Sequence, residues 1–222
     1  GRHWLDVARY GESTGKERNV PYNYAWRYRD YVFDAFAKDK PYDQFIREQI
    51  AGDLLPSSSP QQKNELITAT GFLTLSPRSL NERNPEQFAM DIADEQIDVT
   101  TRAVMSISVA CARCHDHKFD PLKQREYYQL SAYFNSIDES GGNDAGGLAN
   151  PVLNLGPPAK EKSRTMIMRD RQKPRETFIL IRGAYDKPGQ IAVVAGPGAG
   201  PHDFHRFSPE LICGTSQPHD IS

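Results

Sequence analysis

No stretch of this 222-residue chain approaches the roughly 20 consecutive apolar residues of a membrane-spanning helix, so a helical span is excluded. Neither sign of charge dominates. The 27 Lys and Arg face 29 Asp and Glu, and a net charge of -2 gives no field that would draw in nucleic acid or an anionic membrane. Cysteine is scarce as well: three residues, two of them in one short motif, cannot form a disulfide framework. The opening Gly1-Arg2-His3-Trp4 is neither an initiator start nor a signal peptide, and the chain reads as cut from a longer polypeptide. What is present is 38% hydrophobic content over a length that supports one good core, or one core with a smaller appended unit.

The residues that point most directly to a chemistry are Cys111-Ala112-Arg113-Cys114-His115. C-x-x-C-H is the spacing at which two thiols can join haem vinyl groups as thioethers while the adjacent imidazole binds the iron. The run continues as Asp116-His117, so Cys111, Cys114, His115 and His117 also offer the two sulfurs and two nitrogens that tetrahedral zinc prefers. A third reading is a reduced C-x-x-C ending a helix, with solvent-facing histidines. Asp116 and Asp120 are placed to orient His115 or His117 through a hydrogen bond to the second ring nitrogen. Haem attachment would place the site outside the cytoplasm. For a second axial ligand the helical region offers Met90, Met105, His3 and His117; sequence proximity to His115 argues against His117 and Met105, and the position stays unassigned.

Hydrophobic periodicity predicts a mainly α fold: a helical domain over 1–136, a loop-rich extension over 137–190 with one or two short strands, and an irregular tail over 191–222. Helices are predicted over Trp4 to Tyr10, Tyr24 to Ala37, Pro41 to Gly52 with Tyr42, Phe45, Ile46, Gln49 and Ile50 inward, and Gln62 to about Leu75 after a Ser57–Pro60 linker. The longest is predicted from Pro85 to about Ala110 behind an Asn84 cap, delivering the cysteine motif at its end. Another is predicted to open at Asp120-Pro121. The glycine-rich Gly141 to Gly147 and the Pro157-Pro158 pair read as loop. Thr177 to Gly183 reads as a strand near 177–182 whose partner is not evident nearby.

Asp91, Asp94, Glu95 and Asp98 recur at helical spacing, and a solvated acidic face is favoured over a cation site. Tyr22, Tyr24, Trp26, Tyr28 and Tyr31 suit a sugar-stacking platform less well than the core and rim of one amphipathic helix. His202, His205 and His219 lie in a lysine-free tail with the isolated Cys213, to which no function is assigned.

Four segments, Arg2 to Tyr10, Trp26 to Val32, Lys40 to Phe45 and Gln49 to Pro56, followed by Asp94 to Asp98, Val109 to Pro121 and Thr177 to Gly183, resemble a planctomycete cytochrome-type domain family. The resemblance spans roughly the first 190 residues by inspection. It implies an exported, periplasmic or otherwise extracytoplasmic protein, with a haem-type motif carried onto Cys111, Cys114 and His115 and haem c as cofactor. The partners it implies are neighbouring domains of a longer polypeptide or a redox partner, with a family-level association with polysaccharide systems. Whether the domain is an enzyme is not settled in that family. The tail after about Gln190 does not follow the family pattern and is expected to be out of register with it. The resulting expectation is a haem c domain used for electron transfer or redox coupling; the alternative is a zinc-stabilised or carbohydrate-associated module built on Cys111, Cys114, His115 and His117.

Overall fold

The computed structural model describes residues 1–17, 19–136, 152–154, 164–168, 171, 173 and 175–192. The fold is mainly α, as the periodicity predicts. Its helices are α1 (Arg2–Val7), α2 (Ala25–Ala37), α3 (Tyr42–Ala51), α4 (Pro60–Ala69), α5 (Pro85–Thr100) and α6 (Gln124–Phe134). Two antiparallel two-stranded sheets follow: β1 (Val152–Asn154) with β2 (Arg164–Met166), and β3 (Phe178–Leu180) with β4 (Pro188–Ile191). The glycine- and proline-rich loops and the tail with His202, His205, Cys213 and His219 lie outside the described residues.

Each helix forms for a local reason and is held by a tertiary one. In α2, Tyr28, Tyr31, Val32 and Ala35 recur at three and four residue steps and all are buried. The Ser59 hydroxyl accepts the Gln62 N–H and Pro60 occupies the first turn, so α4 starts at Pro60 and takes in what reads in sequence as the end of a linker. Asn84 accepts from the N–H groups of Glu86 and Gln87 at the start of α5.

The aromatic residues converge on one centre. The Trp4 ring stands 4.9 Å from Phe45 and 5.9 Å from Phe72, and its Nε1–H donates to Gln49 Oε1 at 2.8 Å, the same oxygen that accepts from Tyr28 Oη. A buried glutamine with its bonds made fixes how α1, α2 and α3 meet. Tyr22, Tyr28 and Tyr31 are all buried, whereas Tyr24 is half-buried and Trp26 is exposed, so the aromatic series divides into core and rim of α2 and the turn before it. Tyr42, expected to face inward, is 60% exposed and meets Trp4 edge-on. At Gly52 a Cβ would lie 2.0 Å from the Leu66 carbonyl oxygen, so glycine allows α3 and α4 to approach there.

Two helix boundaries beside the motif move, and one strand gains a partner. The long helix does not reach Ala110: α5 passes into a π turn over Thr101–Met105 and stops at Ser106, which is left-handed at φ 57. The next helix opens at Gln124 and not at Asp120-Pro121, because the Asp120 and Leu122 N–H groups are taken up in the preceding loop by His117 Nδ1 and the Asp120 carbonyl. Asp116 Oδ1 takes the Gln124 N–H at 2.9 Å and Glu126 takes that of Lys123 at 2.8 Å. The partner of β3 is close in sequence after all: a short turn brings back Pro188–Ile191, with Phe178 opposite Ile191 and Leu180 opposite Pro188.

Candidate functional site

The cysteine motif forms a 3₁₀ turn, Ala110–Arg113, hung between the end of α5 and the start of α6. Ala112 is fully buried and anchors the turn, while Cys111, Cys114 and His115 face outward. Both thiols are free and exposed. Alternation of this kind is what a tight turn imposes: residues that pack and residues that project follow each other directly.

Arg113, the second variable position of the motif, holds the turn in place. Its guanidinium pairs with the Asp94 carboxylate on α5 and donates to the Gly183 carbonyl at 3.3 Å. Its own carbonyl accepts from Gln124 Nε2 at 3.0 Å and from Tyr128 Oη at 2.9 Å. Gln124 also donates to the Leu180 carbonyl at 3.0 Å, which ties β3 to the turn. Gly183, at φ 72, packs on the motif so closely that a Cβ there would lie 2.8 Å from Cys114 Sγ.

The two motif histidines differ. His115 is exposed, and its Nδ1 lies 2.8 Å from the Asp116 carbonyl, an arrangement that holds the proton on Nδ1 and leaves Nε2 with its lone pair available. His117 is drawn into the loop that follows. Its Nδ1 accepts the Asp120 N–H at 3.0 Å, its own N–H donates to the Leu122 carbonyl at 2.8 Å, and its side chain is 11% exposed. Of the two aspartates, Asp120 engages the His117 ring through its backbone N–H and not through its carboxylate, whereas Asp116 serves His115 through its backbone carbonyl and uses its carboxylate on α6.

Two exposed thiols and an imidazole with an available Nε2 form a donor set that suits covalent haem attachment and axial ligation. His117 is spent on its loop, and among the described residues no group of three or more His, Cys, Asp or Glu is gathered so as to hold a metal ion. Of the remaining axial candidates, Met105 is 57% exposed, His3 is exposed on α1, and Met90 lines a cavity that neither cysteine lines.

The carboxylates of α5 do not form a solvated face. Asp94 pairs with Arg113 and accepts from Tyr127 Oη, Glu95 pairs with Arg9, and Asp98 lies 3.7 Å from Arg9 while pairing with Arg102 one turn along at 2.8 Å, so the row joins α5 to the motif turn, α6 and the segment after α1. Burial pushes the Asp94 carboxyl up to about 6 against the pull of Arg113 and Tyr127. Sequence reasoning passed over Arg113 as a variable position; its signal was a cation flanked by the two cysteines and spaced to reach an acidic helix.

The fold and the turn together define a mainly helical domain that displays a C-x-x-C-H sequence on a surface-exposed 3₁₀ turn. The chain belongs to the PSCyt2 family, described as protein of unknown function (DUF1549), whose family model matches residues 1–139. The β3–β4 hairpin, where the resemblance read from the sequence ended, lies beyond that match. No curated protein and no solved structure matches the chain.

Proposed function

We propose that Cys111, Cys114 and His115 form a c-type haem attachment site and that the domain passes electrons to a neighbouring domain of a longer polypeptide or to a separate redox partner, outside the cytoplasm. The observation that carries this reading is the pair of free, exposed thiols three residues apart beside an imidazole whose Nδ1 is held by the Asp116 carbonyl. A bound haem c would supply a one-electron iron couple. The chain's own residues do the rest. Cys111 and Cys114 anchor, His115 presents Nε2, and the Arg113 bonds to Asp94 and Gly183 keep the turn rigid. Rigid support of this kind is what holds a ligand geometry within the tolerance a metal requires.

The test is a visible spectrum and a haem stain on a denaturing gel, made on protein exported in a host with c-type maturation. Covalent haem is expected in the wild type and in His117→Ala, and is expected to vanish in the Cys111→Ala/Cys114→Ala double variant. No haem, together with about one zinc per chain that is lost in His117→Ala, would replace this reading with a structural zinc cluster of Cys111, Cys114, His115 and His117.

A further inference from the structure

Ser131 on α6 is 8% exposed, yet among the described residues its hydroxyl has no hydrogen-bond partner. A helical serine or threonine ordinarily returns its hydroxyl to a carbonyl one turn back, as Thr68 does to Asn64 and Thr101 to Ile97. Ser131 does not. It lines a cavity of about 470 Å³ beneath the β3–β4 hairpin, with α5 and α6 as the other walls, a size within the range of small-molecule sites. Cys111, Cys114 and His115 do not line it, so it is separate from the proposed haem attachment site.

The rest of the lining limits what the cavity can hold. Its acidic side chains are Glu86, Asp94 and Glu176, and its basic ones are Arg113, Arg171 and Arg175, so the charges balance. Asp94 and Arg113 are spent on each other, and Arg175 donates to the Asn135 carbonyl at 2.8 Å. A charged ligand would therefore give up its hydration with no net opposite charge to replace it, and a neutral one is favoured. Met90 of α5 and Phe178 of β3 supply a thioether and a ring, the surfaces on which an aromatic body packs well. Tyr185, between β3 and β4, also lines the cavity, and its hydroxyl likewise has no partner among the described residues. Two free hydroxyls suit a ligand hydroxyl, which donates to one and accepts from the other.

We propose that this cavity binds a neutral aromatic molecule carrying a hydroxyl, a phenol or an aromatic alcohol, with its oxygen on Ser131 and its ring against Met90 and Phe178. Burial of the ring supplies most of the affinity, and the Ser131 hydroxyl selects the oxygen.

The test is equilibrium dialysis of the full chain at neutral pH against three probes of one ring system: 2-naphthol, naphthalene and the 2-naphthoate anion. One 2-naphthol per chain is expected, with naphthalene about fivefold weaker, the ratio given by roughly one net hydrogen bond. The naphthoate anion is expected to bind at least tenfold more weakly than 2-naphthol. Ser131→Ala removes a hydroxyl that nothing in the described chain uses, and is expected to bring 2-naphthol down to the affinity of naphthalene while leaving naphthalene unchanged. Ala89→Trp fills the cavity and is expected to abolish binding of all three while circular dichroism stays unchanged. Naphthoate binding as tightly as 2-naphthol would overturn the preference for a neutral ligand, and unchanged 2-naphthol binding in Ser131→Ala would overturn the role of the hydroxyl. No binding of any probe, or full binding by folded Ala89→Trp, would overturn the cavity as the site.

Discussion

The motif turn, α5 and the β3–β4 hairpin all meet at the contact of Arg113 with Asp94. The pair is not a simple surface bridge. Burial raises the Asp94 carboxyl from an ordinary 3.8 to about 6, so the desolvation cost exceeds what Arg113 and Tyr127 return. A raised acid holds its proton more tightly in the folded state than in the unfolded one. Its contribution to stability is therefore complete below about pH 4 and lost as pH rises through about 6. We predict that wild-type stability, measured by urea unfolding relative to Asp94→Asn, falls by about 1–2 kcal/mol between those limits and then stays level. A difference that is flat or that rises over the same window would contradict this. In sequence Asp94 was one of four acidic residues at helical spacing; nothing in that spacing says which one a neighbouring arginine will reach.

At the scale of elements, the start of α5 was legible and its end was not. Asn84 and Pro85 form a local signal, a side-chain acceptor followed by a residue without an N–H, and that signal acts where it stands. No comparable signal marks the end. Apolar periodicity continues through Ile107, yet the helix passes into a π turn and stops at Ser106 in the left-handed region. The chain turns there so that Val109 and Ala112 can be buried and the cysteines between and after them displayed. A left-handed serine costs an L-residue roughly 1–2 kcal/mol, and Ser106 is exposed, with no packing to lose. Ser106→Gly should therefore raise stability by about 0.5–1 kcal/mol, seen as a higher denaturant midpoint with an unchanged slope. A lower midpoint would show that the serine makes a compensating interaction.

At the scale of the whole molecule, the segment 164–168 matters most among the parts that sequence reasoning placed in a loop-rich extension. Thr165 to Met168 are all buried, and Met168 is 1% exposed. Its N–H donates to Thr70 Oγ1 at 3.2 Å and its sulfur accepts from Gln96 Nε2 at 3.4 Å, which joins α5 to the turn after α4. The helical core is thus completed by residues that lie beyond the family match at 139. Met168→Ala should cost about 2–5 kcal/mol of unfolding free energy, as large-to-small changes in closed cores do. A cost below about 1 kcal/mol, the level of an exposed site, would mean that this segment does not seal the core.

The sequence by itself determined the helical class, the starts of α4 and α5, the apolar stripe of α2 and the composition of the cysteine turn, because each depends on residues within a few positions of one another. Tertiary structure decided what spacing cannot encode. It set His115 outward and His117 into its loop, chose Asp94 as the partner of Arg113, gave β3 its partner, and made Met168 core. These outcomes depend on which distant groups arrive within hydrogen-bond or packing reach, and that distance exists only once the chain has folded.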